Sequence, residues 1–157
     1  MNSNMAISKL IRELASLVIE PNKEEPHPEV ADNEMYELRF SLIDSGKYVL
    51  INMSDQTETI PHRQYVFVNR IDEPGIIRMA KCPDHGHTSL TYHRYLNRQG
   101  IRTVENIAVY YAGTARFKHG VLEWWDNYSG HYRPDSDLSR NFIPYIRRLL
   151  PQHLFKE

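Results

Sequence analysis

The chain has 157 residues, 41% hydrophobic and 25% charged, which suits one globular domain with one core. No apolar run approaches the roughly 18 residues that a membrane helix requires, so no membrane partner is expected. Its net charge of −1 hides an asymmetry: ten acids against three bases over residues 20–60, then fourteen bases against nine acids from residue 61 onward. Eleven of those later bases are arginine, whose planar fork suits phosphate or carboxylate, so the second part is where an anionic ligand is expected. Pairing of acidic and basic faces inside the domain is the competing explanation.

Residues 1–157 read as a single domain: an N-terminal helix over 1–20, a linker over 21–33 and an α+β core over 34–157. Ile7, Leu10, Ile11, Leu14, Leu17 and Val18 follow helical spacing, with Ser3 or Asn4 as the cap and Pro21 as the stop. The same stretch is charged where the apolar core of a secretory signal would lie. The expected location is therefore cytoplasmic, or outside after export without a cleavable signal peptide. Cys82 is the single cysteine and cannot form an internal disulfide.

Tyr36, Leu38, Phe40 and Leu42 alternate with polar residues as a half-buried strand does, a helix over 32–43 being the competing reading. Asp44-Ser45-Gly46 turns the chain into a returning strand over 48–53. Apolar runs at 65–68 and 76–79 flank the turn Asp72-Glu73-Pro74-Gly75. Residues 88–98 are expected to form a short helix closed by Gly100. A third hairpin, 107–117 with 121–125, turns at Lys118-His119-Gly120, and a last helix is expected over 136–150, where Pro144 would kink or divide it. The sum is α+β: an antiparallel sheet of hairpins with N- and C-terminal helices packed on one face or end.

The densest polar group is Cys82-Pro83-Asp84-His85-Gly86-His87, with Ser89 and His93 close behind. His85 and His87 would share a face of an extended segment, and His93 or Cys82 could supply a third metal ligand. The spacing matches no strong zinc signature, so no metal is expected, and His85, His87 and His93 stand as the weaker alternative. His87 with Ser89, oriented by Asp84 or Asp126, has the residue types of a nucleophile and base. Residues two apart rarely meet in that geometry, however, and no G-x-S-x-G elbow is present. Thr88 or Ser89 could equally cap a helix, with His87 bonding in the same turn.

The second group is Trp124-Trp125-Asp126-Asn127-Tyr128-Ser129-Gly130-His131-Tyr132-Arg133-Pro134. Aromatic faces, Asp126, Ser129 and an arginine ahead of a helix start suit a pocket for a nucleotide or phosphorylated ligand. The structural alternative makes Gly130 a tight turn and Tyr132 a core plug with its hydroxyl on backbone. The arginines are spread over several elements rather than set in one stripe, so nucleic acid is not the expected partner.

His87-Thr88-Ser89-Leu90, Ala112-Gly113, Gly120-Val121-Leu122 and Ser129-Gly130-His131-Tyr132-Arg133-Pro134 fall in a recognisable order. Over about residues 65–137 the chain resembles the H-[ST]-S-[FL] … A-G … S-G-H-Y-x-P domain. That domain is shared by plant IQ-motif calmodulin-binding proteins and by bacterial polymorphic toxin and effector modules. The link over 91–106 is longer than in that family, and no IQ-type helix is visible, so calmodulin is not carried over. The resemblance implies a bacterial effector or toxin-type domain with its site at these motif positions, and the arginines and aromatic faces make a nucleotide-containing or anionic substrate the expected one. His87, Ser89, His131 and Tyr132 are its expected catalytic residues, with Arg133, Ser129, Trp125 and Asp126 binding substrate. Group transfer from a nucleotide, ADP-ribosyl transfer included, is one reaction class it admits; the cofactor is unknown. The alternative is a non-catalytic protein-binding module, an immunity protein or adaptor, engaging a protein partner through its acidic stretch or Trp124 and Trp125.

Overall fold

Among the described residues nine segments form strands, and seven of them pair into one antiparallel sheet. A computed structural model describes residues 18–22, 27–130, 132 and 134–157. The strands are Tyr36–Phe40 (β1), Tyr48–Asn52 (β2), Glu58–Thr59 (β3), Arg63–Arg70 (β4) and Arg78–Lys81 (β5), then Tyr92–Leu96 (β6), Arg102–Asn106 (β7), Val109–Lys118 (β8) and Val121–Trp125 (β9). The large sheet runs β3-β2-β1-β5-β4-β8-β9, and β6 with β7 forms a separate two-stranded ribbon. β4 and β8 are its long central pair, in register from Arg63 opposite Phe117 to Arg70 opposite Val109, with an irregularity at Asn69 and Arg70.

Both faces of that central pair are buried, which is why 65–68 reads as an unbroken apolar run rather than an alternation. Tyr65 and Phe67 join Leu38, Met79, Phe117 and Trp125 in one core, which Phe142, Ile146 and Leu149 of the C-terminal segment cover. Val66 and Val68 point the other way, into a second core with Val30, Leu90, Ala112 and Tyr132. Fully burying each such side chain stabilises the fold by about 1.5–3 kcal/mol.

The α+β expectation, with terminal helices packed on the sheet, is corrected by this architecture: the molecule is mostly antiparallel sheet. Among the described residues the one α-helix is Pro144–Leu149, beside four short 3-10 segments. The helix expected over 88–98 is instead the 3-10 turn His87–Leu90 followed by strand β6. Asn97 decides this locally, because its Oδ1 accepts from the amides of Gln99 (2.9 Å) and Ile101 (3.0 Å). Gly100, at φ +73°, then closes a hairpin turn rather than a helix. The helix expected over 136–150 is divided by Pro144, which holds Ile143 extended (φ −64°, ψ 159°) between Ser136–Asn141 and Pro144–Leu149. Most of the helix expected over 3–20 lies outside the described residues. At its end Ile19 is extended, exchanging two backbone hydrogen bonds with Val109.

Candidate functional site

The chain-distant motifs meet at one place, Ala112-Gly113-Thr114 in the middle of β8. From one side comes the turn His87–Leu90, whose first residue brings Nε2 to 2.6 Å from the Gly113 carbonyl. A carbonyl only accepts, so the geometry assigns the proton to Nε2. From the other side comes Asp126, just past β9. Its Oδ1 accepts from the Thr114 amide (2.8 Å), the Thr114 hydroxyl (2.6 Å) and the Tyr128 amide (3.0 Å). The approach is so close that a Cβ on residue 113 would lie 1.8 Å from the Asp126 carbonyl oxygen, so only glycine fits between them.

A second set of bonds ties the same loops together below. Ser129 Oγ accepts from the Tyr132 amide at 3.2 Å. The Tyr132 hydroxyl proton is shared between Thr91 Oγ1 (2.7 Å) and the Ile107 carbonyl (2.9 Å). Burial pushes this phenol's pKa up to about 12, so it is neutral across the physiological range. Ser89 Oγ accepts from the Gly86 amide, and Thr88 Oγ1 from the His27 amide. Arg70, itself buried, donates Nη1 to the carbonyls of Leu90 and Tyr92, both at 3.2 Å, while Nε and Nη2 grip the Asp72 carboxylate.

Each expected site residue therefore has a definite place. His87, Ser89, Ser129 and Tyr132 are brought together, and all four are buried, with their bonds directed to backbone or to neighbouring side chains. Trp125 lies wholly within the first core, its Nε1 donating to the Pro151 carbonyl. Asp126 is half-buried at the rim. His131 and Arg133 lie outside the described residues. His85 faces Glu34, His87 faces Gly113, and His93 stacks on Tyr95 and faces Asp72, so the three imidazoles do not converge. The Cys82 thiol is held protonated by burial first and by the charges of Asp84 and Asp126 second, which removes it as a thiolate nucleophile at neutral pH.

An open cleft of about 600 Å³ runs along residues 126–130, closed by Pro134 and Glu157. Tyr128 stands 75% exposed on its wall. Among the described residues Asp126 Oδ2 has no hydrogen-bond partner, because all three donors use Oδ1. Asn127 donates Nδ2 to the Pro134 carbonyl at 2.9 Å, and among the described residues its Oδ1 is open as an acceptor. Sequence reasoning missed Thr114, which holds Asp126, and Thr91 and Arg70, which tie down Tyr132 and the chain at 90–92. The first two look like ordinary strand or turn threonines, and no local pattern marks an arginine as buried. Compared with family models, curated proteins and solved structures, the chain matches none.

Proposed function

We propose that this chain is a bacterial effector- or toxin-type domain that binds a nucleotide-containing ligand in the cleft along 126–130. In this reading His87, Ser89, Ser129 and Tyr132 hold the walls of the cleft and do not touch the ligand. The observation that carries it is the pairing, on one wall, of an open carboxylate oxygen with an exposed aromatic ring. Asp126 Oδ2 can accept from the hydroxyls of a ribose, and the ring of Tyr128 offers a flat face to a base. Asn127 Oδ1 can accept from an exocyclic amino group on the same base. The class of protein comes from the resemblance over residues 65–137, and the bond between its His87 and Gly113 supports that reading. Any group-transfer chemistry falls to residues other than His87, whose Nε2 is committed to a carbonyl.

The test is ligand-induced thermal stabilisation of the full chain against ribonucleoside monophosphates, their 2′-deoxy counterparts and NAD. Ligand at about ten times its Kd should add about 1.4 kcal/mol, or a rise of about 3–5 °C for a domain of this size. Tyr128→Ala should abolish the rise with every ribonucleotide. Asp126→Asn keeps an acceptor for Thr114 and should narrow the preference for ribose over deoxyribose. No rise for the wild-type protein at millimolar ligand would remove the reading.

A further inference from the structure

The β6–β7 ribbon is where exposed apolar surface concentrates. Leu96 is 67%, Ile101 60% and Val104 51% exposed, in contrast to the central strands β4 and β8, which are largely buried on both faces. Its register sets Arg94 opposite Val104 and Leu96 opposite Arg102, and alternation puts these four side chains on one face. They line an open groove of about 510 Å³ together with Tyr95 and Thr103. Apolar side chains exposed along a protruding two-stranded element mark an interaction surface, because a free-standing ribbon gains nothing from displaying them.

The inner end of this face already has an occupant, which shows what it takes. The loop at residues 27–29 lies against it. Arg94 grips the Glu29 carboxylate with both guanidinium nitrogens, Nη1 to Oε1 at 2.8 Å, and this bond draws the Glu29 pKa below the ordinary carboxylate value. Tyr92 donates its hydroxyl to the His27 carbonyl, and Val30, the next residue after Glu29, is buried. A carboxylate beside a backbone carbonyl is thus what the ribbon binds in its own chain. Farther out, Arg98 and Arg102 have no carboxylate partner among the described residues, although the aliphatic surface continues beside them.

We propose that the outer part of the ribbon, around Leu96, Arg102 and Val104, docks an extended segment of a partner protein in which carboxylates alternate with aliphatic residues. Its carboxylates would meet Arg102 as Glu29 meets Arg94, and its aliphatic residues would cover Leu96 and Val104. Duplex nucleic acid would satisfy the arginines but leave Leu96, Ile101 and Val104 against phosphate and sugar, so the aliphatic surface favours a protein. This surface is separate from the cleft, and either can fail without the other.

The probe is a fluorescent synthetic peptide alternating glutamate with valine and leucine, titrated with the full chain and followed by anisotropy. A lysine-for-glutamate peptide and a short DNA duplex serve as comparators. The acidic peptide should bind, and the variant carrying Arg102→Glu and Leu96→Ser should weaken it by at least about tenfold. Circular-dichroism melting checks that the variant is folded, and Val104→Ser alone carries the same comparison if it is not. No binding of the acidic peptide, unchanged binding by a folded variant, or tighter binding of the duplex would each overturn the proposal.

Discussion

The buried node at Gly113 and the exposed ribbon begin one residue apart, at Thr91 and Tyr92, yet they use similar residue types for opposite ends. In the node, histidine, serine, threonine and tyrosine are sealed, and their polar atoms hold three loops in register. In the ribbon, arginine and aliphatic side chains that would be expected to pair or hide are left in solvent. A polar group in the interior is costly to leave unmade, so the density of reactive side chains at 87–91 and 129–132 measures how much those loops need fixing. It does not mark where a ligand lands. The surface features that invite one are an open carboxylate oxygen, an exposed ring and an uncovered apolar strip.

Two motif glycines offer the sharpest way to break that contrast. Gly113→Ala forces a methyl group into the Asp126 backbone and should cost about 3 kcal/mol in urea unfolding. Gly130→Ala meets open space at the cleft and should change stability by no more than about 0.5 kcal/mol. Equal costs would mean that the two loops are not packed as described.

Alkaline pH should dissolve the buried side selectively. Burial pushes the phenols of Tyr48 and Tyr132 up to about 12, against about 10 in the unfolded chain. A raised acid pKa means that the folded state holds its proton more tightly. The stabilisation is therefore complete below pH 10 and is lost as pH climbs from 10 through 12, by about 2–3 kcal/mol for each ring. Urea midpoints that stay level from pH 9 to about 11.5 would contradict this sealing of the two phenols.

Smaller changes sharpen the same line. Tyr132→Phe leaves Thr91 and Ile107 without their shared proton and should cost about 1–1.5 kcal/mol by urea unfolding, while flattening part of the alkaline loss. Leu96→Ser with Val104→Ser should shift stability by less than about 0.5 kcal/mol, since both side chains already face water.

Much of the sheet was legible because strands declare themselves by alternation. β1, β2, β4, β8 and β9 fall where the apolar runs and Gly-marked turns put them, and β5 begins two residues after the start of the run 76–79. The ribbon was not legible. Tyr92 to Leu96 has an aromatic spacing that suits a helix face as well as a strand, and what decided between them was the Asn97 side chain bonding to the turn. The C-terminal helix failed for a related reason. Helical periodicity over 136–150 is real, but Pro144 removes the continuity that a single helix needs. At the candidate site, the sequence order of His87, Gly113, Ser129 and Tyr132 pointed to one place; His87 bonds to Gly113, and Tyr132 bonds to Ser129 and Thr91. That they would meet inside the protein depended on Val66, Val68 and Ala112 opening a second core on that face, which no local pattern states.

Hydrogen–deuterium exchange with and without the nucleotide that most raises the melting temperature tests the division between scaffold and cleft most directly. Added protection should appear over residues 126–130, while residues 87–91, already bonded and buried, should show none. Protection confined to residues 92–106, or absent throughout, would contradict the account.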